Sequence, residues 1–499
     1  MLINNKNYLT MIIKRLIFTA CVIAGTIFCK ARAQEQRNVL FILVDDMQSD
    51  AIGYLGNHHV HTPNIDRLMR SGVTFTNAYT NGALCGALSM PSRAMLMTGR
   101  GMFQVQSDGM KIPECHTTLP QYLRANGYRT FATGKWHSDK ASFNRSFAEG
   151  ENIFFGGMHT YESNGHMSPH LTHYDPTGRY GKELKFVGDR FSTLMFADAA
   201  IDFLQSTRGD NKPFFAYVAF TSPHDPRNQH PVDYGRTYSA NDVALPDNFL
   251  PEHPFDNGEL SVRDEMLLPT PRSAEDMKKE IALYYNMVNE VDYQIGRVIK
   301  ALEQSGNLHN TIIVFASDNG LAMGQNGLIG KQSLYEHSVG VPLAIIEPKS
   351  RHRGEKSDAL CYLYDLFPTL CDMLHLDTPQ SVTGLSFAKC LNRPSMPHRA
   401  SLLLAYGNQQ RAIVHNGMKY IAYNVEGTTH EQLFDLNADP GEINNLATAK
   451  PETAAALRLQ LDQAMRRAGD FCHLDNPHWW SDGHKITWSE LINLYIFEK

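Results

Sequence analysis

The stretch Asn38-Val39-Leu40-Phe41-Ile42-Leu43-Val44, followed at once by Asp45-Asp46, decides the fold. An apolar run with no polar alternation reads as a strand buried on both faces, the pattern of a central strand in a parallel sheet. Three further runs of strand length lie at residues 128–133, 213–220 and 311–316. Helical patterns fall between them. The clearest spans 278–304, where Ile281, Tyr285, Val288, Ile295, Val298 and Leu302 lie near one stripe. Gly306 follows, at a position suited to a left-handed cap. Strands alternating with helices predict a wound α/β sheet.

Each run ends in reactive residues. The first stops at Asp45-Asp46, the second at Gly134-Lys135-Trp136-His137 and the fourth at Ser317-Asp318-Asn319-Gly320. The third runs into Ser222-Pro223-His224-Asp225. Open α/β sheets bind ligands beyond the carboxyl ends of their strands. One polar strand end is an ordinary solvated turn; four together predict a shared polar site. Asp45, Asp46, Asp318 and Asn319 offer carboxylate and amide oxygens. Hard cations such as Ca²⁺ and Mg²⁺ prefer these donors, whereas zinc favours His and Cys. No Cys cluster competes.

The chain has 499 residues, 42% hydrophobic and 10% aromatic, enough for a substantial core. Its net charge is −6, with mixed signs and no basic tract, which argues against a nucleic-acid partner. Lys14-Arg15, an apolar run from Leu16 to Phe28 and Ala31-Arg32-Ala33 before Gln34 form a signal-peptide pattern. It predicts export, periplasmic or secreted, with cleavage after Ala33. A transmembrane helix needs about 20 apolar residues, so no membrane span is predicted. Cleavage leaves Cys85, Cys115, Cys361, Cys371, Cys390 and Cys472, with no Cys-x-x-Cys pair and no pairing fixed by spacing. Residues 150–180, rich in Gly, His, Asn, Ser and Tyr, read as a long surface excursion. Short strands at 412–415 and 419–423 flank Asn416-Gly417, a hairpin signal. Glu431 to Leu436, a turn at Asp439-Pro440-Gly441 and a helix near 451–467 complete a small α+β unit. The expected division is 1–33 signal peptide, 34–404 catalytic domain and 405–499 C-terminal subdomain. Trp479-Trp480 reads as packing.

The most specific segment is Ser89-Met90-Pro91-Ser92-Arg93, continuing to Thr98-Gly99-Arg100. It resembles the signature of the type I sulfatase family: Cys or Ser, any residue, Pro-Ser-Arg, a helical turn and Thr-Gly-Arg. Cys85 lies nearby but lacks that context. His61-Thr62-Pro63-Asn64-Ile65-Asp66, the strand-end motifs, Gly330-Lys331 through Glu336, Val341-Pro342 and Leu433-Phe434-Asp435-Leu436 are similar to further family blocks. The resemblance covers nearly all of the chain after the signal. It implies an alkaline-phosphatase-like α/β fold, a large mixed sheet sandwiched by helices with a smaller C-terminal α+β domain. Two departures stand out. Residue 89 is Ser where Cys is commoner, and Asn319 stands where some relatives carry His or another ligand.

The resemblance also implies a mechanism. Ser89 would be oxidised to formylglycine (3-oxoalanine), because a plain serine hydroxyl is a weak nucleophile. Its hydrate would attack the sulfur of a sulfate ester. Ca²⁺ would be held by Asp45, Asp46, Ser89, Asp318 and Asn319. Arg93, Lys135 and Lys331 would surround the sulfate oxygens, His224 with Lys331 would protonate the leaving alcohol, and His137 would act as base. The substrate implied is a sulfated carbohydrate, a terminal hexose or N-acetylhexosamine sulfate of mucin or glycosaminoglycan type. His170, His173 and Arg227 are the candidate substrate contacts. The Ser form implies a transient partner, an oxygen-independent radical maturase of the anaerobic sulfatase-maturing type. Two alternatives stay open. One is a phosphatase or phosphodiesterase of the same superfamily, using unmodified Ser or Thr and paired zinc. The other is an inactive glycan-binding protein with Ser89 unmodified.

Overall fold

The run Asn38–Val44 is buried along its whole length, and it forms the middle of a ten-stranded sheet. The computed structural model describes residues 36–105, 109–229, 236–470, 472 and 474–476; the expected signal peptide and Trp479-Trp480 lie outside them. On one side Asn38–Val44 pairs in parallel with Thr311–Ser317, and on the other with Phe214–Ala219. Phe214–Ala219 pairs in parallel with Arg129–Lys135, which pairs in parallel with Glu149–Phe154. The four apolar runs are therefore four adjacent strands, with their carboxyl ends at one edge. Leu343–Ile346 joins Thr311–Ser317 antiparallel, and His170–Thr172 and Lys185–Val187 extend the other side antiparallel. The sheet is mixed, as expected.

Alternate side chains of Asn38–Val44 face opposite ways. Val39, Phe41 and Leu43 enter one core with Met95, Leu96 and Phe367. Leu40, Ile42 and Val44 enter another with Phe196, Val288 and Ile295. Helices thus cover both faces, with Ser89–Thr98 and Leu366–Leu374 on one side and Ser192–Ser206 and Ala274–Gln304 on the other. The long helix starts four residues before its expected start at 278. Ser273 caps it by accepting from the Asp276 backbone N–H, and its first turn is polar, so apolar periodicity missed it.

Two expectations need correction. Gly134 and Lys135 do not end their strand; they continue it past an irregularity between Thr133 and Gly134. Gly134 has φ +87°, and a Cβ there would fall 1.9 Å from the Ala219 carbonyl oxygen, so glycine is what lets the strands meet. Nor is 150–180 wholly superficial. His159 and His166 are buried. Their polarity is met internally, His166 lying 2.9 Å from Ser192 Oγ and 3.0 Å from the His224 carbonyl oxygen.

The C-terminal sheet runs Thr428–Asp435, Met418–Val425, Gln410–His415, Ser401–Tyr406 and Gly82–Ala83. Its strand Ser401–Tyr406 spans the expected boundary at 405, and its edge strand comes from just before Ser89. Helix Pro451–Ala468 covers one face through Leu457, Leu461 and Met465.

Replacing Gly134 by Ala tests the close approach. We expect Gly134→Ala to lower unfolding free energy by about 2 kcal/mol or more, measured by urea denaturation; an unchanged midpoint would show that the strands need no glycine there.

Candidate active site

The register that pairs Val44 with Ser317 places Asp45-Asp46 beside Asp318-Asn319. Asp46 has φ +61°, a left-handed conformation rare outside glycine and concentrated at functional sites. Its N–H donates to Asp318 Oδ1 at 3.3 Å. Carboxylate oxygens of Asp45, Asp46 and Asp318 lie within 4.8 Å of one another, all buried. Each acid has its own cation. Lys135 Nζ meets Asp45 Oδ2 at 2.6 Å, Lys331 Nζ meets Asp46 Oδ1 at 2.7 Å, and Arg93 Nε meets Asp318 Oδ2 at 2.8 Å.

Ser89 opens the helix Ser89–Thr98, whose N-terminal end favours negative charge. Its Oγ lies 3.0 Å from Asp45 Oδ1 and 2.9 Å from Asn319 Oδ1. One hydroxyl proton serves only one of these acceptors. Two oxygens therefore face each other at contact distance with no hydrogen between them, a setting suited to a cation. Three carboxylates, an amide oxygen and residue 89 make an oxygen donor set that fits a hard divalent ion. Arg93 reaches further, with Nη1 donating to the Lys135 carbonyl and to Tyr217 Oη at 2.8 and 3.3 Å. Its Nη2 has no hydrogen-bond partner among the described residues and lies 3.7 Å from Asp45 Oδ1. Thr98-Gly99-Arg100, by contrast, are structural. Gly99 ends the helix in a left-handed cap, and its carbonyl accepts from Thr383 and Gly384 N–H.

The two histidines sit in opposite fields. His137, also at φ +61°, is buried; that burial, with Lys135, Arg93, Lys331 and His224 around it, holds its imidazole well below the ordinary value. Its Nε2 packs on Gly157, where a Cβ would come within 2.8 Å. His224 is buried too, and burial and Lys331 pull it down. Asp46 and Asp225 outweigh them and raise it. Its Nε2 is 3.6 Å from Asp46 Oδ2 and its Nδ1 is 3.2 Å from Asp225 Oδ1. Among the acids, burial pushes Asp45 up, but Lys135, His224 and Arg93 prevail and hold it down. Burial and the charge on Asp45 raise Asp318 despite Arg93 and Lys135.

The structure thus gathers Asp45, Asp46, Ser89, Arg93, Lys135, His224, Asp318, Asn319 and Lys331 by direct contact, with His137 within their electrostatic reach. It does not gather the expected substrate contacts. Arg227 is buried against Glu280 at 3.2 Å. His173 bonds to Glu151 at 2.7 Å and stacks on Phe186. Among the described residues, neither His170 nor His173 bonds to the cluster. Sequence reading also passed over Tyr217 and Gly157, whose roles depend on contacts between distant segments and carry no local signal.

The family described as Sulfatase matches residues 37–376, and the C-terminal family of N-sulphoglucosamine sulphohydrolase matches 324–469. An arylsulfatase of Clostridium perfringens is 29% identical over 449 residues, covering 83% of this chain and 90% of that protein. An N-acetylglucosamine-6-O-sulfatase of Bacteroides thetaiotaomicron is 26% identical, covering 82% of each. Two solved structures share the fold. One holds D-glucosamine-2-N,6-O-disulfate as its substrate, with TM-score 0.65, 24% identity and coverage of 87% and 98%. The other is a phosphonate monoester hydrolase of Agrobacterium radiobacter, with TM-score 0.68, 22% identity and coverage of 87% and 96%. One fold carries both chemistries, so the chemistry must be read from the site.

A divalent ion held by this donor set stabilises the folded state by linkage, about 2.7 kcal/mol at 100 times its Kd. We expect added Ca²⁺ to raise the melting temperature, chelation to lower it, and Asp318→Asn to abolish most of the shift. Melting indifferent to Ca²⁺ and Mg²⁺ alike would rule out a cation here.

Proposed function

The chain belongs to the sulfatase family and hydrolyses sulfuric esters, and from that premise we propose that it is a calcium-dependent carbohydrate sulfatase whose nucleophile derives from Ser89. One observation carries the reading. The Ser89 hydroxyl stands among Asp45, Asp46, Asp318 and Asn319, ringed by three buried cations. No zinc-type cluster of His and Cys occurs among the described residues, which disfavours the paired-zinc phosphatase alternative.

Asp45, Asp46, Asp318, Asn319 and residue 89 would hold Ca²⁺, which supplies charge neutralisation and lowers the pKa of a bound hydroxyl. Oxidation of Ser89 to formylglycine supplies a hydrate with two hydroxyls, one to attack sulfur and one whose deprotonation lets sulfate leave. Arg93, Lys135 and Lys331 bind the sulfate oxygens and oppose the charge that develops on them. His137, kept neutral by burial and neighbouring cations, is suited to accept a proton from residue 89. His224, raised by Asp46 and Asp225, is suited to give one to the leaving alcohol, with Lys331 beside it.

The N-acetylglucosamine-6-O-sulfatase and the glucosamine disulfate complex among the similar proteins support a sulfated glycan as substrate, with a terminal hexose or N-acetylhexosamine sulfate as the unit. No helix among the described residues is long and apolar enough to cross a membrane. The signal-peptide pattern supports export, and the Ser at position 89 supports maturation beforehand by a radical enzyme.

Mass spectrometry of the Ser89 peptide, after co-expression with such a maturase, is expected to show an aldehyde lighter by two hydrogens. An active preparation holding only serine would overturn the mechanism. His137→Ala is expected to lower kcat on sulfated sugars by about 100-fold or more. Faster hydrolysis of phosphate than of sulfate esters by the matured enzyme would favour the phosphatase reading.

A further inference from the structure

Two groups given to the leaving alcohol, His224 and Lys331, come from segments more than a hundred positions apart, yet both meet Asp46. Behind them runs a continuous chain of polar contacts. His224 Nδ1 lies 3.0 Å from the Asp225 carbonyl oxygen and 3.2 Å from its carboxylate Oδ1. Arg263 grips that carboxylate with both terminal nitrogens, Nη1 donating to Oδ1 at 2.9 Å and Nη2 to Oδ2. The same Nη1 donates to Asp264 Oδ1 at 2.9 Å. Asp264 Oδ2 accepts from Gln332 Nε2 at 2.8 Å, and Gln332 Oε1 accepts from the Lys331 backbone N–H at 2.9 Å. The contacts close a ring through Asp46. The members other than Arg263 are all buried; the Arg263 side chain is 26% exposed.

A bidentate guanidinium–carboxylate pair fixes both distance and plane. An imidazole backed by a carboxylate is held in one orientation, as in other sites where a second group sets a histidine's aim. We propose that Arg263 is a positioning residue that holds His224 and Lys331 at the reacting centre as one unit, through Asp225 on one side and through Asp264 and Gln332 on the other. This rests on the reading that His224 protonates the leaving group. Arg263 touches no reacting atom; its effect passes through the two residues that do.

The test uses the matured full-length enzyme and a series of aryl and sugar sulfates whose leaving groups range from acidic nitrophenols to weakly acidic alcohols. A misaligned proton donor slows esters of poor leaving groups more than those that leave unaided. Arg263→Met is expected to lower kcat/KM about tenfold or more on the weakly acidic end and much less on the nitrophenyl ester. Arg263→Lys should recover part of the loss, and Asp225→Asn should reproduce its pattern. Adding Arg263→Met to His224→Ala should not steepen the leaving-group dependence further. Equal loss on every ester, with a lowered melting temperature, would mean a purely structural role and overturn the proposal, as would full activity. If His224→Ala is itself indifferent to the leaving group, the acid assignment falls and the positioning role with it. If His224→Ala is sensitive and Arg263→Met is not, only the role of Arg263 falls.

Discussion

The structure depends on placing three carboxylates where they repel one another. At separations up to 4.8 Å, each pair of charges costs at least about 3 kcal/mol at an effective dielectric near 20. Burial adds to that cost. The sheet meets it with one cation per acid, Lys135 for Asp45, Lys331 for Asp46 and Arg93 for Asp318. Those cations arrive from three separate elements: a strand two places away in the sheet, the loop after Asn319 and the helix that presents Ser89. The ion pairs that make the cluster tolerable therefore also surround Ser89 with positive charge, so the proposed nucleophile and anion clamp share one act of compensation.

Much of this was legible in the sequence. Asn38–Val44 and the runs at 128–133, 213–220 and 311–316 announced buried strands by lack of alternation, and they prove to be four neighbours. Their polar ends named the site because a strand end has few places to go once its body is fixed in a parallel sheet. What local pattern could not carry was of two kinds. Backbone exceptions, such as the strand passing through Gly134, invert the usual meaning of a glycine, which reads as a stop when alone and as a close approach when a partner strand is known. Contacts between distant segments, such as Gly157 on His137 or Gln332 on Asp264, have no periodicity. The histidines at 159 and 166 misled for a related reason, since polar residues satisfied by buried hydroxyls and carbonyls look like surface residues until those partners are seen.

Two left-handed residues sit at the site itself. Asp46 and His137 both adopt φ +61° just beyond the ends of their strands. An extended residue at either place would continue the pleat and carry its side chain alternately to one face or the other of the sheet. The left-handed turn breaks that alternation. Such conformations persist only when surroundings over-determine them. Asp46 is held by Lys331, by Asn319 Nδ2 at 2.7 Å and by its own N–H on Asp318.

The same reasoning separates the two histidines, which a sequence presents as equals. His137 lies in the field of the cations that neutralise the acids, and His224 lies between two of the carboxylates, Asp46 and Asp225. Burial alone would drive both toward the neutral form. Only His224 has enough negative charge beside it to reverse that tendency, and that charge keeps its place because Arg263 holds Asp225. The proposed division into a base and an acid thus follows from which end of each ion pair an imidazole faces, and on that proposal the contacts around Asp46 keep the acid facing the carboxylates.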